Sequence, residues 1–263
     1  MDLQLRDRVA LVSAASKGLG KATAWALARE GADLVIAARG RETLEATAQE
    51  IRADTGREVL AVSADVSLAE DIDALLAQAL ARWGHVDILV NNAGGPRPGV
   101  FTDMADADWL AAMELNLLSA VRLIQGVLPG MRARRWGRIV NITSIAVKQP
   151  IRDLILSNTV RAGVVAMAKT LAGQVASEGI TVNNVCPGYM LTDRVRSLAA
   201  ATAQAEAISV EAALARSESA IPMGRMGRPE ELAAVIAFLA SEPASYVTGA
   251  TIQVDGGLYQ GLL

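Results

Sequence analysis

Val9-Ala10-Leu11-Val12-Ser13-Ala14-Ala15-Ser16-Lys17-Gly18-Leu19-Gly20 decides how the rest of the chain is read. An apolar run of buried-strand length leads into a turn of small residues, and Lys21 to Gly31 then carries a helical pattern. Small side chains let a backbone approach a pyrophosphate. The start of the helix offers unsatisfied N–H donors and the positive end of its dipole. A glycine pair alone carries little weight; set between a strand and a helix it predicts a nucleotide site, against the plainer alternative of a tight turn that binds nothing.

The same alternation continues outward. Leu34 to Ala37, Val59 to Val62, Ile88 to Val90, Arg138 to Ile142, Thr181 to Val185 and Thr251 to Val254 read as strands. Between them Arg41 to Thr55, Ala69 to Trp83, Asp106 to Met131 (one long helix or two broken ones), Leu156 to Glu178 and Pro229 to Ala240 read as helices. Strands that alternate with helices predict an α/β chain. The expected form is a doubly wound parallel sheet of the Rossmann type in three αβα layers, with a nucleotide outside the carboxyl ends of the strands. The 263 residues fit one dinucleotide-binding domain, 1–263. Thr192 to Pro222 is an insertion with two Ala-rich helical stretches, and residues 190–222 are expected to form a substrate lid rather than an idle surface excursion.

Composition narrows the class. Apolar residues make up 52% and charged residues 20%, as in a globular protein, and a net charge of −3 supplies no broad basic surface for nucleic acid. Cys186 is the single cysteine, so no internal disulfide forms. No cluster of Cys and His marks a metal site, and His85 lies before the fourth strand, at the end of the sheet away from the nucleotide. No signal-like leader or membrane-length apolar run is read, so the expectation is a cytoplasmic protein with no membrane partner.

Several motifs together resemble the short-chain dehydrogenase/reductase family. Gly18 and Gly20 match the last two glycines of its Thr-Gly-x-x-x-Gly-x-Gly turn, with Ala14 in place of the first. Asn91-Asn92-Ala93-Gly94 matches its Asn-Asn-Ala-Gly in every residue, and Val254-Asp255-Gly256-Gly257 resembles its C-terminal signature. The resemblance spans about residues 6 to 258 and is nearest to 3-oxoacyl-carrier-protein reductases. It implies cofactor contacts from Ser13, Ser16, Lys17, Gly18, Leu19 and Gly20, from Asp65 and Val66 at the adenine, and from Asn92, Ala93 and Gly94. It also implies that Pro187, Gly188 and Thr192 close over the nicotinamide carboxamide. At the end of the second strand Ala38 cannot hold a ribose diol as an acidic residue does. Arg39, helped by Lys17, can hold a 2′-phosphate, so NADP is expected, with NAD as the alternative and solvated surface charges as the plain reading.

The family's reaction uses Asn, Ser, Tyr and Lys. Asn116 matches the helix Asn that holds a relay water, and Ser144 the Ser that steadies the substrate carbonyl. Where the family has Tyr-x-x-x-Lys, this chain has Ser157-Asn158-Thr159-Val160-Arg161. Arg161 can still hold the nicotinamide ribose but cannot pass on a proton, and a serine hydroxyl is a poor acid. Ser157 through a water, or Tyr189, is expected to assist the proton. Arg97 and Lys148 would favour an anionic substrate group.

The resemblance thus implies an NADP(H)-dependent oxidoreductase that interconverts a small-molecule carbonyl and a secondary alcohol. The alternatives are a non-redox lyase or dehydratase on the same scaffold and a catalytically silent dinucleotide-binding protein. A homotetramer or homodimer, packed through the long helices after strands four and five, is implied as well.

Overall fold

The computed structural model describes residues 1–262, with Arg194 and Ala201 described by backbone alone; Leu263, the last residue of the expected domain, lies outside the described residues. Strand β1 (Val9–Ser13) is followed by α1 (Gly18–Arg29), β2 (Asp33–Ala38), α2 (Arg41–Thr55), β3 (Val59–Ser63), α3 (Ala69–Trp83) and β4 (Ile88–Asn91). The chain continues through α4 (Asp106–Ala112), α5 (Ser119–Arg134), β5 (Gly137–Ile142), α6 (Ile155–Val175) and β6 (Ile180–Pro187). It ends with α7 (Asp193–Glu206), α8 (Val210–Glu218), α9 (Pro229–Leu239) and β7 (Thr251–Val254). The strands lie parallel in one sheet of order β3-β2-β1-β4-β5-β6-β7.

Strand periodicity builds the three layers. Ala10 and Val12 of β1, with Leu34 and Ile36 of β2, point to one face and pack on Leu27 of α1, Ile51 of α2 and Ile236 of α9. Val9, Leu11, Val35 and Ala37 point to the other and pack on Leu75 of α3, Val127 of α5 and Ala172 of α6. Both faces are covered, so β1 and most of β2 read as apolar runs with no polar alternation. The strand order reverses between β1 and β4, which opens a crevice at their carboxyl ends.

Two sequence expectations are adjusted. Helix α1 begins at Gly18, inside the glycine turn rather than after it. The stretch from Asp106 to Arg134 is continuous helix, long and apolar enough by composition to cross a membrane, contrary to the expectation that no such stretch exists. Here its apolar stripe, Leu123, Ile124, Val127 and Met131, is buried in the core on that face of the sheet, the ordinary role of a core helix. Met113–Leu118, which joins α4 to α5, is π-helical, and Asn116 sits in it.

A polar row crosses the middle of the sheet. Asn91, Asn141, Asn184 and Thr251 are register partners on β4, β5, β6 and β7. The amide of Asn91 donates to Asn141 Oδ1 at 2.8 Å, Asn141 to Asn184 Oδ1 at 3.0 Å, and Asn184 to Thr251 Oγ1 at 3.2 Å. Within the row each amide nitrogen finds an acceptor on the next strand, as burial requires.

Candidate active site

The turn after β1 is built for close approach. Ala14 takes φ +48°, the left-handed region, which costs an alanine about 1 kcal/mol. At Gly20 a Cβ would stand 2.3 Å from the carbonyl oxygen of Ala14, so only glycine lets α1 start here. Helix α1 has no side-chain cap, so Lys17, Gly18 and Leu19 face a cleft of about 450 Å³ with the first N–H groups of the helix uncovered by the chain's own side chains. Asn92, Ala93, Gly94, Arg161 and Thr192 line the same cleft.

A second cavity of about 580 Å³ adjoins it, sharing Ala14, Lys17, Ala93, Gly94 and Gly95, and adds Ser16, Arg39, Asp65 and Val66. The Arg39 side chain is exposed, with Nη1 3.8 Å from Asp65 Oδ2. Burial pushes the Asp65 carboxyl up. The N–H and hydroxyl of Ser67, then the charge of Arg39, outweigh that and hold it below the ordinary carboxylate range. Lys17 and Arg39 therefore line one cavity, large enough for a ribose and base.

Toward the carboxyl ends of β4 and β5 the placements diverge more from expectation. Ser13 turns inward: its hydroxyl donates to the carbonyl of Asn92 at 2.7 Å and accepts the N–H of Asn92 at 2.9 Å, which braces β1 against β4. Arg161, 8% exposed, gives Nη1 to the carbonyls of Ile142 and Thr143 at 3.0 and 3.1 Å. Its Nη2 goes to those of Ala93 and Gly94 at 3.2 and 3.4 Å. Those donors clamp the ends of β4 and β5 together from below the cleft; the planar fork suits two pairs of carbonyls. Asn116 donates to the Gly94 carbonyl at 2.9 Å. Its Oδ1 and that of Asn91 are buried with no partner and line a cavity of about 20 Å³, room for one water.

Ser144 Oγ accepts the N–H of Ala146 at 3.1 Å and caps the short turn Ile145–Val147. Ser157, 7% exposed, sits in the first turn of α6. Tyr189 lines a different cavity, of about 400 Å³, with Met223, Arg225, Glu231 and Asp255. Pro187 ends β6, and Gly188 is pressed against Asp255, where a Cβ would come within 2.8 Å. Thr192 caps α7. Arg97 pairs with Asp108 at 3.1 Å and with the Asp103 carbonyl at 3.0 Å, which ties it to α4. Burial pushes the Cys186 thiol up, so it stays protonated. His85 lies beside Asp87 at the amino end of the sheet, 3.2 Å away.

The structure thus gathers the glycine turn, Arg39, Asp65 and the Asn92–Gly94 segment around one crevice and turns Ser13 and Tyr189 elsewhere. Thr43, Gly95, Leu115 and Asp193 also line it and carried no signal in the sequence, since each is an ordinary loop or helix residue until the fold brings it to the rim.

Residues 13–259 match the family described as Enoyl-(Acyl carrier protein) reductase. The chain is 40% identical over 256 residues to a 3-oxoacyl-[acyl-carrier-protein] reductase of Synechocystis, covering 97% of this chain and 98% of the relative. It is 38% identical to the enzyme of that name from Vibrio cholerae, covering 98% and 99%. Among solved structures, L-sorbose reductase from Gluconobacter frateurii, complexed with NADPH and L-sorbose, superposes with a TM-score of 0.97 at 35% identity over 100% of both chains. With a parallel sheet, an uncapped helix at a glycine turn and Asn91-Asn92-Ala93-Gly94 on the crevice, the chain belongs to the short-chain dehydrogenase/reductase family of oxidoreductases.

Proposed function

We propose that this protein reduces a small-molecule ketone to a secondary alcohol with NADPH, through a proton donor other than a phenol at position 157. One observation carries the cofactor assignment: the uncapped start of α1 and the two basic side chains Lys17 and Arg39 face joined cavities at the strand reversal. The residues fit a dinucleotide, with N–H groups for its pyrophosphate and a guanidinium for its 2′-phosphate. When bound, the cofactor supplies the hydride. Ser144 steadies the carbonyl oxygen, Asn116 holds the Gly94 carbonyl and the cavity behind it, and Arg161 keeps β4 and β5 in register beneath the cleft. Arg161 is then a brace more than a ribose ligand, because its terminal nitrogens are given to carbonyls.

The segment 190–222 serves as the lid. Its helices α7 and α8 pack on each other through Ala199, Ala203 and Ala213, a small cluster apart from the main core, and Thr192 and Asp193 reach the cleft rim. Of the sequence's two candidate donors, Ser157 lacks acidity and Tyr189 faces the other cavity. The relatives named as 3-oxoacyl and L-sorbose reductases support ketone reduction over the lyase and silent-binder alternatives.

The test is a fluorescence titration with NADPH and NADH, followed by turnover of ethyl acetoacetate and L-sorbose. NADPH is expected to bind more tightly, and Arg39→Ala to weaken it about 10- to 100-fold with little change for NADH, one charge-assisted contact being worth roughly 1.5–3 kcal/mol. Equal binding of both cofactors by the unaltered protein would remove Arg39 from phosphate recognition. Loss of neither probe carbonyl would refute reduction.

A further inference from the structure

We propose that Tyr259, on the C-terminal segment, donates the proton that residue 157 cannot, with Lys148 as its positioning partner; this rests on the ketone-reductase reading above. The chain has three tyrosines. Tyr246 is fully exposed, and Tyr189 lines the cavity of Met223 and Arg225. Tyr259 alone lies beside a lysine at the catalytic end: Lys148 Nζ stands 5.6 Å from the centre of its ring.

That lysine belongs to the Ser144 loop. Ser144 opens the short turn Ile145–Val147 and Lys148 closes it, its N–H donating to the Ile145 carbonyl at 2.9 Å. The lysine beside the Tyr259 ring thus belongs to the same short loop as the serine that steadies the carbonyl. Lys148 lies in the loop that follows β5, whose carboxyl end pairs with that of β6, where Cys186 Sγ is 3.1 Å from Thr143 Oγ1.

Tyr259 is held in an ordered turn that starts at Asp255. Asp255 accepts the N–H of Gly257 at 3.0 Å and of Tyr259 at 2.8 Å, and its carbonyl accepts the N–H of Leu258 at 3.2 Å. Asp255 itself is packed against Gly188 in the loop after β6. A phenol and an ammonium thus meet at the strand ends, from two segments far apart in the chain, where the family's phenol and ammonium share one helix turn.

The step balances. As hydride reaches the carbonyl carbon, the π pair moves to oxygen and takes the phenolic proton; the Tyr259 O–H bond breaks and the alcohol O–H bond forms. The carbonyl is reduced and NADPH oxidised. The ammonium stabilises the negative charge left on the phenolate, which solvent water reprotonates.

Tyr259→Phe keeps the ring and removes the proton. With NADPH and ethyl acetoacetate or L-sorbose, kcat should fall about 100-fold or more, with KM and the NADPH dissociation constant, read by fluorescence, changed less than about twofold. The fall should exceed that of Tyr189→Phe or Ser157→Ala at least tenfold, and Tyr246→Phe should match the unaltered protein. Lys148→Met should lower kcat about tenfold without raising KM. A readout free of turnover uses protein labelled with 3-fluorotyrosine. The Tyr259 fluorine resonance, assigned by its disappearance in Tyr259→Phe, should move when Lys148→Met is introduced. It should move again when the probe ketone is added to protein holding NADP⁺, while the Tyr246 resonance stays. Full kcat in Tyr259→Phe, or a Tyr259 resonance indifferent to the ketone, overturns this assignment while ketone reduction stands. Protein that binds no NADPH, or reduces neither ketone, overturns the reductase reading and this step with it.

Discussion

Replacing Arg161 by lysine restores the residue type of the family's motif and should nonetheless destabilise this protein. The guanidinium spans four carbonyls in two pairs, Ile142 with Thr143 and Ala93 with Gly94, at 3.0 to 3.4 Å. An ammonium is a single point with three donors, and from one position it can serve one pair. Two bonds from a charged donor are then lost, each worth about 1.5–3 kcal/mol. The side chain is only 8% exposed, so water replaces few of them. The expected loss is about 3 kcal/mol, at the low end because the retained pair tightens on the compact ammonium. For a chain of this size that lowers Tm by roughly 6–12 °C. Arg161→Met abandons both pairs and should lose about 5 kcal/mol. Urea and thermal denaturation, followed by circular dichroism, measure both. An Arg161→Lys protein within about 1 kcal/mol of the parent would show that the carbonyl clamp contributes nothing, and would return Arg161 to the role of a cofactor ligand.

Two other predictions concern the framework. Asn141→Ala leaves the Asn91 amide nitrogen and Asn184 Oδ1 without partners in the middle of the sheet, and should lower stability by about 2–4 kcal/mol with an unchanged urea m-value; a loss under about 1 kcal/mol would mean the row is decorative. Glu231 is held down to about 2, first by hydrogen bonds from Arg225 and then by the N–H of Arg228. A carboxyl depressed on folding stabilises fully above its unfolded value of about 4.5 and loses that contribution as pH falls through about 2. The Tm gap between the parent and Glu231→Gln should accordingly be constant above about pH 5 and close as pH drops toward about 2. A gap as wide at the acid end as at neutrality would contradict the pairing.

The sequence by itself determined the order of elements, the parallel sheet and the nucleotide end of the crevice. Those features are local: short apolar runs for strands, a period of 3.6 for helices, and a glycine turn whose chemistry is complete within Val9–Gly20. Ala14 in place of the motif's first glycine was visible as well, and the structure shows what that replacement costs, a φ of +48°. Side-chain partners were decided by the tertiary structure. Ser13 faces Asn92 because β1 pairs with β4, so a hydroxyl that belongs to the phosphate turn in sequence is spent on the neighbouring strand. Arg161 finds four carbonyls because the sheet presents two strand ends beneath α6, and no spacing along the chain encodes that. Tyr189 follows β6 into a cavity that Asp255 also lines, and the turn on Asp255 carries Tyr259 on to Lys148; neither partner can be read from spacing along the chain. Propensity and periodicity tell which way a residue leans along its own element. Which partner it meets depends on strand order and register, set by packing among residues distant in the chain.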